Sequence, residues 1–480
     1  MKQLSKAKIW LFAIGQFGWA LMSGLIGSWL VSFYEPSDEA IQAGQPVLIP
    51  QGRVLFGVLT VIGGITALGR IFDAVTDPLV ASLSDNCKSK RGRRIPFLAW
   101  SAVPFAITTL LVFCAPFSPE GSGLVLNSVW LCIMVLAYYF CITLYCTPYT
   151  ALYSEITHTE SERMLASSAI SLTFIVGFAM GYLGPIVWGA LTPVVGSRVT
   201  AIRLTFGIFA LIALVCMYVP VFAIKESDYV TTQPAQANMF ESLGKTFKNK
   251  SFRIFVGSDV FYWIGLTMFQ TGIPYFVSSL LKLPEAFQSM FLVLMTALSL
   301  VFYVPINLVT AKVGKKKMVI FAFALFTAVF AFTAFTHGSA ENARLLSTPF
   351  GEATLGQLVQ GLIMIVCGSL PMAIFGILPQ AMVADCAEYD SRETGESRQG
   401  MFFAARTFCM KMGQALAMVI FTSLATVGRH AVIGSDGVER IVNSGSGYRV
   451  AAMAAAVLCA LGGIILMFYN EKKVLGKENT

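Results

Sequence analysis

The sequence GRIFDAVTDPL, residues 69–79, places three ionisable side chains, Arg70, Asp73 and Asp77, inside a mostly apolar run. A charge at the centre of a membrane helix costs about 2.5–3.5 kcal/mol on insertion scales, so such residues are rare and usually functional. Asp73 and Asp77 are four residues apart and therefore share one helical face. Two carboxylates this close need a cation, a proton or a basic partner. The stretch therefore predicts a cation site within a membrane helix.

The composition of the whole chain is that of a membrane protein. Of its 480 residues 56% are hydrophobic and 12% are charged, whereas soluble domains have about 25% charged residues. Most of the surface must therefore face lipid. The net charge of +8 fits basic loops beside anionic lipid and gives no reason to expect a nucleic-acid partner. The ten cysteines show no metal-like spacing and are predicted to be packing residues without disulfides.

Twelve segments reach the roughly 20 apolar residues that a membrane helix needs. They cover 9–34, 54–83, 95–117, 124–150, 164–192, 203–223, 253–280, 287–311, 317–336, 356–383, 399–427 and 449–469. The sequence thus predicts an all-α membrane protein in three parts. These are an N-terminal six-helix bundle (1–223), a polar cytoplasmic linker (224–252) and a C-terminal six-helix bundle (253–480).

The distribution of basic residues predicts the orientation. With the N-terminus inside, 23 of the 34 Lys and Arg fall in cytoplasmic segments, so both termini are predicted to be cytoplasmic. The loops SDNCKSKRGRRIP (84–96) and TAKVGKKKM (310–318) stand at equivalent places in the two halves. Such a repeat of two six-helix halves, with a binding site between them near the midplane, is typical of secondary transporters. We expect a multi-pass protein of the cell inner membrane.

The second half also carries buried charges, Arg406 and Lys411, within AARTFCMKMGQAL (404–416). At the 1.5 Å rise of a helix, Asp73 and Lys411 both lie roughly 18–20 Å from the cytoplasmic ends of their helices. They could therefore meet across a central cavity, with Arg70 close enough to compensate Asp73. The alternative, in which these charges only lock helices together, stays open.

Charged residues at the predicted cytoplasmic helix ends form a second group, for which gating or orientation is a more natural role than substrate contact. The candidates for a cytoplasmic gate are Asp85, Arg93, Glu155, Arg163, Asp385, Glu388, Arg398 and Arg406. No catalytic triad, metal cluster or pair of catalytic carboxylates on a soluble segment can be assembled, so no enzyme activity is predicted.

The order of these motifs resembles the glycoside–pentoside–hexuronide:cation symporter family of the major facilitator superfamily. R-x-x-D-A-x-T-D-P (70–78) is followed by R-G-R-R-x-P (91–96), then by A-D-C-A-E-Y-D (384–390) and K-M-G (411–413). The resemblance covers nearly the whole chain. It implies two pseudo-symmetric bundles, alternating access and symport of a sugar or glycoside with H⁺ or Na⁺, without any other cofactor or metal.

The resemblance also implies residue roles. Asp73, Asp77, Thr76 and Thr143 would bind the cation, and Lys411 with Arg70 would couple the cation to substrate. Thr76 stands where relatives have an Asn amide, and a hydroxyl is the weaker ligand for Na⁺. The choice between H⁺ and Na⁺ is therefore open, with H⁺ slightly favoured.

The sugar-binding charges of the family's melibiose carriers have no counterpart at Trp19, Cys146 or Ser171. Neutral groups are therefore the substrate candidates, namely Gln16, Trp19, Tyr145, Tyr149, Tyr262, Trp263 and Gln270, for which ordinary packing is the competing interpretation. Because those charges are missing, a cation-coupled carrier of a lysolipid or other amphipathic solute is the alternative function. A sensor without transport activity is a third. The sugar and the oligomeric state stay open, with a monomer expected.

Overall fold

The computed structural model describes residues 4–55, 57, 59–229, 244, 246–338, 344–395, 399–434 and 437–475. The chain divides into two compact units. The first comprises Met1–Ala235 with His430–Val442, and the second comprises Gln236–Arg429 with Asn443–Thr480.

The first unit is built from eight described α-helices, most of them membrane-spanning. They are α1 (Lys6–Tyr34), α2 (Asp38–Gln42), α3 (Val61–Asp85), α4 (Ile95–Leu111), α5 (Ser122–Ile156), α6 (Glu160–Gly181), α7 (Gly184–Val195) and α8 (Arg198–Ala223), with a 3₁₀ turn at Glu226–Asp228. Polar side chains fix several starts: Ser5, Thr60 and Ser197 each accept a hydrogen bond from a backbone N–H of the first turn, which is the usual N-cap arrangement.

The second unit follows the same plan. Its helices are α9 (Lys250–Tyr275), which continues into a π-helical turn at Phe276–Leu280, α10 (Ala286–Val313), α11 (Lys315–Phe335), α12 (Leu355–Thr394), α13 (Gln399–Ala425), α14 (Gly445–Met467) and α15 (Glu471–Val474). A hairpin of β1 (Leu345–Thr348) and β2 (Gly351–Thr354) precedes α12.

The membrane helices confirm the predicted number. Ten segments of the described residues are long and apolar enough to cross a membrane, and α6 and α7 together form one of them. The other two are α4, with 17 residues, and α3, whose 25 residues include Arg70, Asp73 and Asp77. Large apolar side chains such as Leu83, Trp100 and Phe222 are exposed, as lipid-facing residues should be.

Several helix ends differ from the predicted ones. α3 begins at Val61 rather than near 54, because Thr60 provides the N-cap. α12 extends to Thr394 rather than ending near 383. It ends there because Gly395 adopts the left-handed conformation, with φ of 74°, which favours glycine at a helix C-terminus. Hydropathy cannot locate such ends, because the last helical turns here are polar.

Glycines allow α1 and α6 to approach closely in the first unit. A Cβ at Gly24 would lie 2.9 Å from the carbonyl oxygen of Phe178, and one at Gly181 would lie 3.2 Å from the backbone of Gly24. Small residues at helix contacts are typical of membrane proteins, where backbone packing replaces the hydrophobic effect between helices. The α1–α6 contact therefore depends on glycine at these positions.

A β-hairpin that the sequence did not predict belongs to the first unit, although it joins α13 to α14 of the second. Its strands are β3 (His430–Ile433) and β4 (Glu439–Val442). Val432 and Val442 form an apolar cluster with Ile41 of α2. His430 Nε2 lies 2.8 Å from Asp38 Oδ2. Both side chains of this polar pair are partly exposed, so the apolar cluster is the stronger anchor.

Replacing Val432 with Asp should release this hairpin, because it places an unpaired carboxylate in the apolar cluster. We expect limited proteolysis to cleave within 430–442 several-fold faster than in the wild type. Ile433→Asp is the matched control, since Ile433 is 68% exposed and successive strand residues face opposite sides. Equal cleavage of the two variants would contradict the docking of the hairpin.

Candidate functional site

The predicted cation-site residues come together between α3 and α5 in the first unit. Thr143 Oγ1 donates to Asp73 Oδ1 at 2.8 Å, and Thr76 Oγ1 lies 3.5 Å from Thr143 Oγ1. One turn further along, Thr147 Oγ1 donates to Asp77 Oδ1 at 3.3 Å. Asp73 is only 6% exposed, whereas Asp77 is half-buried. The two carboxylates thus share one side of α3, as their spacing predicts, and they meet hydroxyls of a single neighbouring helix.

Arg70 lies beside this cluster, with its guanidinium over the ring of Tyr139. Its guanidinium carbon is 5.2 Å from the ring centroid of Tyr139, a distance at which a cation is attracted to the face of an aromatic ring. The carbonyl of Tyr139 lies 2.9 Å from Thr143 Oγ1 and is an alternative acceptor for its single hydroxyl proton. The structure therefore places Arg70 near the acidic pair, while its proposed coupling role stays a prediction.

The substrate candidates of the first unit fall into two groups. Trp19 donates its indole N–H to Gln16 at 3.1 Å and packs against Phe174, with ring centroids 5.4 Å apart. Tyr145 and Tyr149 are fully buried, and their hydroxyls donate to backbone carbonyls at 2.8 and 2.7 Å. This arrangement favours the packing interpretation for the two tyrosines, and substrate contact by them stays a prediction.

The candidates of the second unit lie on α9 and α13. Tyr262 stacks on Phe375 with ring centroids 4.0 Å apart, so its ring is part of the packed interior. Trp263 and Gln270, also on α9, are half-buried. Lys411 on α13 is 8% exposed. Substrate contact by Trp263, Gln270 and Lys411 stays a prediction.

Arg406, a candidate for the cytoplasmic gate, forms an ion pair inside the second unit, and its gating role stays a prediction. It is buried in α13 and pairs with Asp259 of α9, with Nε–Oδ2 and Nη2–Oδ1 distances of 2.8 and 3.1 Å. Two parallel hydrogen bonds of this kind are the strong form of a carboxylate–arginine pair. Asp259 was not among the predicted residues, although a charged residue inside the predicted membrane segment 253–280 could have been identified from the sequence.

Removing one partner of this buried pair should be strongly destabilising, because it leaves the other charge buried and uncompensated. We expect Asp259→Leu to lower the free energy of unfolding by about 3–5 kcal/mol and to reduce thermal stability in detergent. The double variant Asp259→Leu/Arg406→Met should recover most of the loss, since apolar residues can replace a buried pair. A double variant as unstable as the single one would contradict this account.

A charge cluster at the predicted cytoplasmic end of the first unit is centred on Arg94. Its guanidinium contacts Asp85, Glu155 at 2.8 Å and Ser84 at 2.5 Å. Burial alone would lower the pKa of Arg94, but the bonds and charges of Glu155 and Asp85 raise it above its ordinary value. The predicted Arg93 lies farther from Glu155, at 3.4 Å. The sequence had two adjacent arginines and could not show which one points inward.

The other gate candidates have separate partners. Asp385 pairs with Lys315 at 2.5 Å in the second unit, and Arg163 donates to the carbonyl of Thr157 at 3.2 Å. Glu388 lies 4.0 Å from Arg392 on the exposed surface of α12, where such a pair contributes little. Arg398 lies outside the described residues. A gating role for any of these residues stays a prediction.

Two glutamates show that the halves repeat in detail. The carboxylate of Glu226 accepts from the backbone N–H groups of Arg93, Arg94 and Ile95 at 2.7–3.0 Å, at the start of α4. The carboxylate of Glu471 accepts from the N–H groups of Lys315 and Lys316 at 2.8 and 3.2 Å, at the start of α11. Each glutamate follows the last long helix of its unit and satisfies the free N–H groups at a helix start.

A glycine precedes each of these helix starts. Gly92 and Gly314 have φ of 108° and 95°, a region that other residues rarely adopt. A Cβ at Gly92 would clash with the Glu226 carboxylate, and one at Gly314 would lie 3.0 Å from that of Glu471. The Gly-containing basic loops that suggested a repeat in sequence therefore have the same structural use in both units.

Glu226→Gln should destabilise the first unit, because an amide has one acceptor oxygen and carries no charge to interact with the helix dipole. We expect a loss of about 1–3 kcal/mol in the free energy of unfolding, read as a lower melting temperature in detergent. Glu471→Gln should have a similar, smaller effect. Glu120→Gln, at an exposed loop position, is the control, and it should melt like the wild type. A Glu226 variant that also does so would refute the capping role.

Two units of membrane helices with a buried acidic pair define a membrane transporter of the secondary class, not an enzyme. The chain belongs to the MFS/sugar transport protein family, whose model matches residues 11–473.

Curated relatives agree with this family. The chain is 22% identical to the inner membrane symporter YicJ of Escherichia coli, over 80% of this chain and 77% of the relative. It is 20% identical to the isoprimeverose transporter of Lactiplantibacillus pentosus, over 96% and 88%. A mouse sodium-dependent lysophosphatidylcholine symporter is 25% identical over 52% of each chain. The crystal structure of the nucleoside transporter NupG superposes with a TM-score of 0.61 at 15% identity, over 97% of this chain and 99% of NupG. That likeness concerns the fold alone.

Proposed function

We propose that this protein is a cation-coupled symporter of a sugar or glycoside that works by alternating access. The observation that carries the proposal is the acidic pair of α3, held at membrane depth by the hydroxyls of α5. Carboxylates in such a place are costly when ionised and are readily neutralised by a mobile cation. The isoprimeverose transporter, which aligns with nearly the whole chain, supports a glycoside as the substrate class.

The coupling follows from linkage between the two ligands. A cation that neutralises Asp73 and Asp77 lowers the electrostatic cost of the conformation that binds substrate. By thermodynamic reciprocity, bound substrate then tightens cation binding by the same factor. The proposed coupling residues are Arg70, which lies over Tyr139, and Lys411. Gln16 and Trp19 are the proposed substrate contacts in the first unit, and Trp263 and Gln270 in the second.

We propose H⁺ rather than Na⁺ as the coupling ion. The hydroxyls of Thr76, Thr143 and Thr147 are among the groups beside the two carboxylates. A single proton neutralises a carboxylate without further ligands, whereas Na⁺ needs a shell of oxygen atoms, to which an amide contributes better than a hydroxyl. We further propose a monomer with both termini in the cytoplasm, in keeping with the basic loops.

Asp77→Asn should abolish ion-driven uptake while leaving the protein folded, because Asn cannot take up or release a proton. The measurement is accumulation of a labelled xylosyl or glucosyl glycoside by proteoliposomes under an imposed pH gradient, and separately under a Na⁺ gradient. Glu120→Gln, at an exposed loop position, is the control. Unchanged uptake by Asp77→Asn would refute the coupling role.

The same vesicles test the alternative cargo. Relatives include a lysophosphatidylcholine symporter, so labelled lysophosphatidylcholine is assayed in parallel with the glycosides. Gradient-dependent lysolipid movement without glycoside uptake would show that the substrate is an amphipathic solute and not a sugar. The proposed cation site would not be affected.

A further inference from the structure

The acidic pair and its hydroxyls form two matched levels along α3 and α5. Asp73 and Asp77 are four residues apart, and so are Thr143 and Thr147, so each carboxylate faces its own hydroxyl. Thr147 was not among the predicted residues, and its hydroxyl reaches Asp77 as that of Thr143 reaches Asp73. We propose that Thr147 is a positioning residue that holds Asp77 and sets the affinity of this carboxylate for the coupling cation. The proposal rests on the proposed function.

The two levels differ in access. Asp73 and Thr143 are buried, at 6% and 2% exposure, whereas Asp77 and Thr147 are half-buried. The Asp77–Thr147 level is therefore the less buried of the two. Thr143 has a second acceptor in the carbonyl of Tyr139. The hydrogen bond from Thr147 acts on the less buried of the two carboxylates.

A proline follows each member of the less buried level. Pro78 comes directly after Asp77 and Pro148 directly after Thr147, and both lie inside their helices. A proline has no N–H, so the carbonyl groups four residues earlier, at Ala74 and Leu144, lose their intrahelical donor. Both helices thus carry a break in the backbone hydrogen-bond ladder at the same level. Side-chain bonds such as Thr147 to Asp77 fix the geometry there where the backbone is less constrained.

Loss of the Thr147 hydroxyl should shift the pH dependence of uptake in one direction. A hydroxyl that donates to a carboxylate stabilises the ionised form and opposes its protonation. Uptake without that hydroxyl should therefore reach half its maximum at a lower proton concentration. Thr147→Val keeps the branched shape and removes the hydroxyl, whereas Thr147→Ser keeps the hydroxyl.

The experiment compares the pH of half-maximal glycoside uptake in proteoliposomes for the wild type and four variants. Thr147→Val should shift this midpoint upward by about one pH unit, and Thr147→Ser should return it to the wild-type value. Thr150→Val is the matched control, because the Thr150 hydroxyl donates to the carbonyl of Cys146 in its own helix at 2.9 Å. Its midpoint should not move. Thr147→Ala is the fourth variant and takes the place of valine if that variant does not fold.

The outcomes separate the two proposals. If Asp77→Asn loses gradient-driven uptake but neither Thr147→Val nor Thr147→Ala moves the midpoint, the role of Thr147 is refuted and the symporter stands. If Asp77→Asn accumulates substrate normally, the symport mechanism itself is refuted. A lower maximal rate in Thr147→Val with an unchanged midpoint would assign Thr147 a packing role and overturn the inference.

Discussion

The cost of a carboxylate at membrane depth is the constraint on which this structure depends. The chain meets it in two different ways. In the second unit Asp259 is joined to Arg406 by two short hydrogen bonds, an arrangement that is satisfied permanently. In the first unit the hydroxyls of Thr143 and Thr147 donate to Asp73 and Asp77, and the guanidinium of Arg70 lies over the neighbouring ring of Tyr139. A bidentate guanidinium suits a structural pair, whereas hydroxyl contacts are compatible with the mobile cation that we propose.

At the ends of the helices charge is not costly in the same way, because it lies at the boundary of the apolar region. There it satisfies free backbone N–H groups. Glu226 and Glu471 cap equivalent helices of the two units, each beside a glycine with positive φ. Arg94 and Lys315 then reach carboxylates on neighbouring helices. The glutamates and glycines therefore repeat in both units, whereas the basic residues differ, since Arg94 contacts two carboxylates and Lys315 contacts one. Only the glycine and the basic character of the loops were visible as a repeat in sequence, because each glutamate lies more than 130 positions from the loop that it caps.

Much of the site could be predicted because intramembrane charge is so rare that each residue stands out. Asp73 and Asp77 on one face of a helix follow from their spacing alone, and Thr143 followed from the family resemblance. Thr147 could not be found in this way, because threonine is common in apolar helices and only the pairing of α3 with α5 distinguishes it from Thr150. The partners of buried hydroxyls could not be predicted either: those of Tyr145 and Tyr149, two substrate candidates, donate to backbone carbonyls.

The sequence by itself determined that most of the surface faces lipid, the number of membrane helices and the presence of an acidic pair within one of them, because these depend on local composition and on spacing within one helix. The tertiary structure decided which hydroxyl meets which carboxylate, that Arg406 pairs with Asp259, and that the hairpin 430–442 belongs to the first unit. These facts depend on contacts between residues about 70 to 390 positions apart. No periodicity within a helix carries that information, since it arises only when the helices pack.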